Sequence, residues 1–312
     1  MNITDIEKVE NLLKIGQYEV LYRINYDNLR LYIRQEPFSY YSGLTGALSA
    51  STFQGSQEVK RIKKWREGMI NSFGKKNADD YLNMTADFGT LVHMSVVTMK
   101  EKGRIDWGEE KDIAWNYFIN CFKKNQIELN SKLINQMIHE YMKHVASIMQ
   151  FIYERVEEIY AVETPAIWED VKVATPIDLF CSCRQTPKGK FDKTTINIKT
   201  SSQISQHQLD QVACEMAMWN ETYGDAKYTS ILRTKGSWNE KKTPTYEYKY
   251  ITKSEAENIA RDIKERLLLC LNSDASYYPN PSSKSFEGKT KIGEMPNIKH
   301  ISLEQEWNNI EL

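Results

Sequence analysis

Residues 170–200 read DVKVATPIDLFCSCRQTPKGKFDKTTINIKT, and this stretch decides the fold that the sequence predicts. It holds two β-rich runs, which are separated by a turn-forming segment with Pro187 and Gly189. A third β-rich run, EIYAVETPAI at 158–167, comes shortly before them. Three strands in close succession predict a meander.

Helical signals surround this meander. Residues 52–160 carry apolar side chains at three- and four-residue spacing, which predicts helices with a buried stripe. Capping boxes, in which Ser or Thr is followed three residues later by Gln or Glu, begin two later helices at Ser205 and Thr252. Further strands are predicted at 227–234 and 245–251. From the long helices onward, the predicted order is helix, three strands, helix, strand, strand, helix.

The beginning of the chain carries a capping box, Thr4-x-x-Glu7, and then an alternating segment at 20–34 that favours a hairpin. Together the patterns predict an α/β fold with a mixed central sheet over 158–251, flanked by helices. We divide the chain into three regions on this basis: a mainly helical region at 1–157, a sheet-containing core at 158–272, and a C-terminal extension at 273–312.

The composition is typical of a soluble globular protein. Of 312 residues, 41% are hydrophobic and 27% are charged, which excludes collagen-like, disordered and membrane-spanning classes. No apolar run is long enough for a membrane span, and we expect a cytoplasmic protein without membrane contact. The net charge of −1 neither requires nor excludes a polyanionic partner, because a local basic stripe is enough to bind phosphate.

Cysteine and histidine spacing argues against a structural metal. The cysteines are odd in number and form no C-x-x-C pair, so we expect reduced, mostly buried thiols at Cys121, Cys181, Cys183, Cys214 and Cys270. His139 and His144 stand five apart on a predicted helix, at an angle that does not let them chelate one ion.

The chemistry is expected on two of the predicted strands. Asp178 ends the motif VATPID, and Asn197 and Lys199 share one face of a later strand because residues two apart project to the same side. If the two strands are neighbours, these side chains converge. Carboxylate and amide oxygens, with the carbonyl of Ile198, are ligands that suit Mg²⁺, and Lys199 would lie near an attacking water.

These residues carry a resemblance to a known superfamily. Pro176, Asp178, position 197 and Lys199 resemble the PD-(D/E)xK nuclease motif, and Gly89-Thr90-Leu91-Val92-His93, preceded by Trp65-Arg66 and Gly68, resembles upstream elements of RecB-like exonucleases. Within that group the chain looks most like the bacteriophage and mitochondrial genome-maintenance exonucleases. Lys199-Thr200-Ser201 and Gln208 resemble the K-T-(S/G) and Q-x-x-x-Y elements, with Val212 where the Tyr is expected. The resemblance spans about 45–235.

The resemblance implies a restriction-endonuclease-like core and a metal-dependent exonuclease that hydrolyses DNA from a free end. It implies Mg²⁺ or Mn²⁺ as cofactor and DNA, single- or double-stranded, as partner; it also allows a homo-oligomer or a recombination or replication partner. Two sets of residues take roles by this resemblance. The catalytic residues are Lys199, Asp178, Asn197 and Gln208. The metal ligands are Asp178, Asn197, Ile198, His93 and Glu163, with Glu163 acting through water.

A basic cluster precedes the His93 element. It is expected to contact DNA phosphates, with one tryptophan stacking on a base or packing in the core, and consists of Lys60, Arg61, Lys63, Lys64, Trp65 and Arg66. Arg233 and Lys235 are weaker candidates for the same groove. The alternative interpretation is an ordinary solvated face, as for most charge runs.

Position 197 departs from the superfamily pattern. An amide oxygen brings no negative charge to a metal, so metal affinity and activity are expected to be reduced, and Asn197→Asp is expected to raise both. Asn197 is interpreted either as natural degeneracy or as an active-site substitution that lets DNA or metal be held uncut. Two alternatives therefore accompany the nuclease hypothesis: a catalytically inactive DNA-binding protein, and a structural or assembly protein built on a nuclease fold.

Overall fold

The computed structural model describes residues 21–26, 29–34, 39–51, 64, 67–68, 71, 75–102, 105–124, 131–235, 243–273 and 290–291. Its strands are β1 (Leu21–Tyr26), β2 (Leu29–Arg34), β3 (Ser39–Gly43), β4 (Val156–Trp168), β5 (Val173–Arg184), β6 (Phe191–Lys199), β7 (Tyr228–Thr234), β8 (Tyr246–Thr252) and β9 (Thr290–Lys291). Its helices are α1 (Leu44–Ser51), α2 (Lys75–Lys102), α3 (Trp107–Lys124), α4 (Ser131–Arg155), α5 (Gln206–Thr222) and α6 (Lys253–Ser273).

The predicted element order is confirmed. From α4 to α6 the chain runs helix, three strands, helix, strand, strand, helix. The hairpin predicted at 20–34 is also present, since β1 and β2 pair antiparallel. The capping box proposed at Thr4 lies outside the described residues.

Both later capping boxes form as predicted. Gln208 N–H donates to Ser205 Oγ at 3.3 Å, and the Gln208 side chain accepts from Ser205 N–H at 3.0 Å. At the start of α6, Thr252 N–H donates to Glu255 Oε2 at 2.8 Å, and Glu255 N–H returns a bond to Thr252 Oγ1 at 3.4 Å. Each box satisfies backbone donors that the first helical turn leaves without partners.

The sheet is mixed, as predicted, and larger than the predicted 158–251. Among the described residues the sheet has nine strands: eight follow the order β8-β7-β6-β5-β3-β2-β1-β9, and β4 pairs with β5 off this path. The β4, β5 and β6 strands form the antiparallel meander, whereas β3 pairs with β5 and β7 pairs with β6 in parallel. A parallel neighbour for β6 requires a crossover, which α5 supplies.

The chain divides into two compact units along different lines from the predicted 1–157, 158–272 and 273–312. One unit, the sheet unit, combines Met1–Thr52, Phe151–Arg233 and Glu247–Glu294. The other, the helical unit, combines Phe53–Gln150, Thr234–Tyr246 and Met295–Leu312. The early strands belong to the sheet unit because Ser42 and Gly43 of β3 pair with Val173 and Ala174 at the start of β5.

The core of the sheet unit lies between the meander and helices α1, α5 and α6. Phe180 of β5 packs on Trp219 of α5 with ring centroids 4.3 Å apart, and Trp168, Val173 and Ala260 belong to the same apolar cluster. Ala213, Cys214 and Met216 of α5 belong to this cluster, so the helix is held against the sheet. The polar residues of α5 therefore lie near the strands.

The thiol prediction is confirmed for the cysteines whose side chains the structure describes. Cys121, Cys181, Cys183 and Cys214 are buried free thiols, as predicted, whereas the side chain of Cys270 lies outside the described residues. Among the described helices, none has the length and apolarity needed to cross a membrane.

Candidate active site

The site lies on three adjacent strands of the meander. The β5 and β6 strands are neighbours, as the convergence of Asp178, Asn197 and Lys199 requires, and their pairing runs to Leu179 opposite Ile196. The same register places Asp178 opposite Asn197. Asp178 Oδ2 accepts a hydrogen bond from Ile198 N–H at 2.6 Å, which ties the carboxylate to the facing strand.

Glu163 flanks Asp178 from the other side. In the β4–β5 register, Val162 lies opposite Leu179 and Thr164 opposite Ile177, so Glu163 faces Asp178. Carboxylate oxygens of the two residues lie within 4.8 Å of one another. Glu163 has a φ of 45°, a left-handed backbone that costs free energy in a non-glycine residue. Two like charges and a strained residue at one point favour a cation site there.

Glu163, Asp178 and Asn197 lie opposite one another on β4, β5 and β6 and form a row across the sheet. The side-chain amide of Asn197 donates to both carboxylate oxygens of Glu215 on α5, at 2.8 and 3.0 Å. Asn197 Oδ1 is buried and accepts no hydrogen bond within the described part of the chain. A buried amide oxygen without a hydrogen-bond donor costs free energy unless a water molecule or a cation binds to it.

Glu215 is a site residue that the sequence analysis did not predict. It is almost fully buried, with 1% of its surface exposed. Burial, and then the negative charge of Asp178, raise the pKa of Glu215 to about 8, while Lys199 and the amides of Asn197 and Gln211 oppose the rise. A carboxylate whose pKa is raised by burial and by a neighbouring like charge is a candidate for a functional residue.

A hydrogen-bond chain joins this carboxylate to the lysine. Gln211 Nε2 donates to Glu215 Oε1 at 2.7 Å, and Lys199 Nζ donates to Gln211 Oε1 at 3.2 Å. Gln211 and Glu215 stand four apart on α5 and therefore share one helix face. That spacing, visible in the sequence as Gln-x-x-x-Glu, is the signal that identifies both residues.

Gln208 occupies a different place from Gln211. It caps α5, as the capping-box interpretation predicts, and its Nε2 also donates to Ser201 Oγ at 3.1 Å, in the loop that follows β6. Its catalytic role stays a prediction. The contact with the lysine is made three residues later in the helix, by Gln211.

The remaining predicted residues come from other parts of the chain. His93 is half-buried on α2 of the helical unit, and its role as a ligand stays a prediction. Arg233 is engaged within the sheet unit, where its guanidinium pairs with Glu247 and donates to Ser202 O at 2.7 Å. Lys64 is exposed. The rest of the basic cluster lies outside the described residues: Lys60, Arg61, Lys63, Trp65 and Arg66.

The donor set fits a hard divalent cation. Glu163 and Asp178 offer carboxylate oxygens, and Asn197 offers a buried amide oxygen to which no described residue donates. Oxygen ligands of this kind suit Mg²⁺ and Mn²⁺ and do not suit thiophilic metals. The predicted contribution of the Ile198 carbonyl stays a prediction.

No family model matches the chain, and no curated protein matches it.

Proposed function

We propose that the protein is a Mg²⁺- or Mn²⁺-dependent nuclease that hydrolyses phosphodiester bonds of DNA. One observation carries the proposal. Glu163, Asp178 and Asn197 form a row across three strands, and Lys199 follows on the same strand face as Asn197. Oxygen ligands beside a lysine are what a metal-assisted attack on a phosphodiester needs.

Each residue of the site has a task in this reaction. Asp178 and Glu163 would hold the cation, together with the amide oxygen of Asn197. Lys199 stabilises the negative charge that develops on the phosphate, and Gln211 holds the lysine ammonium in place. A bound Mg²⁺ or Mn²⁺ polarises the phosphate and lowers the pKa of its water.

The fold supports the same proposal at a coarser level. A helix, a three-stranded antiparallel meander, a crossover helix and a parallel fourth strand agree with the restriction-endonuclease-like core that the resemblance implies. Attack from a free DNA end, rather than within the strand, is proposed from that resemblance alone.

A second candidate function follows from Asn197. Compared with the acidic residue that the superfamily motif has at this position, the neutral amide brings one negative charge fewer to β5 and β6. A dication is therefore bound less tightly. A protein of this kind would bind DNA in the same place without cutting it.

The experiment compares cutting with binding. End-labelled linear DNA, single- and double-stranded, and closed circular DNA are incubated with Mg²⁺ or Mn²⁺, and a gel-shift assay is run in EDTA. A nuclease cuts the linear substrates, and Asp178→Ala and Lys199→Gln abolish cutting while Lys188→Gln, at an exposed turn, does not. DNA binding without cutting supports the second candidate, and neither activity contradicts both.

A further inference from the structure

Asn197 on β6 and Glu215 on α5 form a buried hydrogen-bonded pair. Through this pair, a helix residue sets the orientation of a side chain on the strand. Both amides beside Glu215 donate N–H hydrogen bonds to it: Asn197 to its two oxygens, and Gln211 to one. The orientation of both amides is therefore set by the carboxylate, because only the nitrogen of an amide is a donor. Their oxygens are turned away from Glu215.

The two oxygens then have separate uses. Gln211 Oε1 accepts from Lys199 Nζ at 3.2 Å. Asn197 Oδ1 is buried and has no donor among the described residues, and it belongs to a strand position that faces Asp178. An amide rotated by half a turn would instead present its two N–H donors, which repel a cation.

The stability of the fold does not by itself explain why position 215 is a glutamate. Burying a carboxylate is costly, and a neutral side chain of the same shape is often equally stable or more stable at such a place. Glu215 is 1% exposed, and no cationic side chain pairs with it directly among the described salt bridges. Its position beside the neutral residue of the row indicates a role in the site.

We infer that Glu215 is the positioning residue of the metal site: it holds Asn197 with its oxygen toward the cation and, in the ionised form that a bound dication favours, places on α5 the negative charge that the strand lacks at position 197. The inference rests on the proposed function for its metal. It makes the two positions an exchangeable unit, since an aspartate at 197 and a glutamine at 215 keep the hydrogen bond and move the charge to the strand.

This pairing changes the expectation for Asn197→Asp. Alone, that substitution removes one of the two amide donors to Glu215 and sets two carboxylates against each other in a buried place. We expect the single variant to unfold at a lower temperature than the wild type in EDTA. Combined with Glu215→Gln, the same substitution should recover the lost stability.

The decisive measurement is Mg²⁺ affinity by isothermal titration calorimetry on the full chain, together with the unfolding temperature in EDTA. Glu215→Gln should lower the affinity by about 10- to 100-fold, the usual effect of losing a residue that orients a ligand, without lowering the unfolding temperature. The double variant N197D/E215Q should restore the affinity to the wild-type range. Glu221→Gln, at an exposed ion pair on the same helix, is the matched control and should leave the affinity unchanged.

Three outcomes would overturn the inference: unchanged Mg²⁺ affinity in Glu215→Gln, a double variant that binds no better than Glu215→Gln, or a wild type that does not bind Mg²⁺. Because affinity is measured without DNA, this result is separate from the nuclease test. Affinities that follow the expected pattern in a protein that cuts no DNA would support the inference and contradict the proposed function.

Discussion

At the scale of single residues, the clearest feature is the carboxylate pair of Glu163 and Asp178. Their oxygens lie within 4.8 Å, and Glu163 has the left-handed backbone of the site. Like charges directly opposite on paired strands destabilise a sheet. Without a cation, the carboxylates of Glu163 and Asp178 therefore repel each other, and the backbone of Glu163 is strained as well.

We expect Glu163→Gln to raise the free energy of unfolding in EDTA by about 0.5 kcal/mol, because it removes the repulsion with Asp178. The same variant should gain less stability than the wild type when Mg²⁺ is added, since one ligand is lost. Chemical denaturation with and without Mg²⁺ measures both effects. Glu257→Gln, on the exposed side of α6, is the control; equal Mg²⁺ stabilisation in Glu163→Gln and wild type would contradict the prediction.

His144 predicts a pH dependence in the helical unit. Burial lowers the pKa of His144 to about 4, with a contribution of Lys143 in the same direction and an opposing one of Glu140. Its Nδ1 lies 2.5 Å from Thr234 Oγ1, and its ring packs edge-on against Phe88. The folded protein therefore keeps this ring neutral at physiological pH.

As the pH falls below the ordinary value of about 6.5, the unfolded chain binds a proton at position 144 and the folded chain does not until about 4. Stability is therefore present above pH 6.5 and is lost as the pH falls to about 4, by at most about 3 kcal/mol. Urea unfolding of wild type and His144→Gln at both ends of this range measures the difference. The exposed His139→Gln should behave as wild type; an identical pH dependence in all three proteins would show that His144 titrates normally.

At the scale of elements, α5 carries the part of the site that the strands do not supply. Its capping box fixes where the helix begins, and thereby which residues face the strands: Gln211 and Glu215 lie three and seven residues after Gln208, on the same side. The cap also contacts the loop after β6 through Ser201.

Ser205→Ala should cost about 1 kcal/mol of stability, the usual value of an N-cap, and should also weaken Mg²⁺ binding because the first turn of α5 is loosened. Thr252→Ala is the matched control, since it removes the same kind of box at the start of α6, a helix to which we assign no residue of the site. We expect equal losses in thermal stability for the two variants and a loss of Mg²⁺ affinity for Ser205→Ala only. Equal affinities would show that the cap does not position the site.

At the scale of the whole molecule, the sheet joins parts of the chain that are far apart in sequence. The predicted core at 158–272 lacks β3, whose residues Ser42 and Gly43 pair with the first residues of β5. Leu44 and Leu48 of α1, which follows β3, also belong to the apolar cluster of the sheet unit.

We therefore expect a 158–272 fragment to fail to fold cooperatively, because it exposes one edge of β5 and the apolar surface that α1 covers. Near-ultraviolet circular dichroism and thermal unfolding of the fragment and of the full chain measure this. A fragment that unfolds in a single sharp transition would show that the predicted boundaries 157/158 and 272/273 delimit an independent domain.

Much of the architecture follows from local patterns in the sequence. Alternation marks the strands, three- and four-residue spacing marks the helices, and the boxes at Ser205 and Thr252 mark helix starts. The same period of two puts Asn197 and Lys199 on one strand face. These signals work because a backbone hydrogen bond and a neighbouring side chain are determined within a few residues.

Other features were decided only by tertiary structure. Asn197 and Glu215 are 18 positions apart and meet because α5 packs its apolar side on the meander. Glu163 faces Asp178 through a pairing register, and β3 lies beside β5 through a contact between distant segments. Local periodicity carries no information about which strand lies beside which, or which helix face covers a strand, because these depend on burying apolar surface across the whole unit. The sequence by itself thus determined the elements and the strand residues of the site, and tertiary packing decided which carboxylates join them.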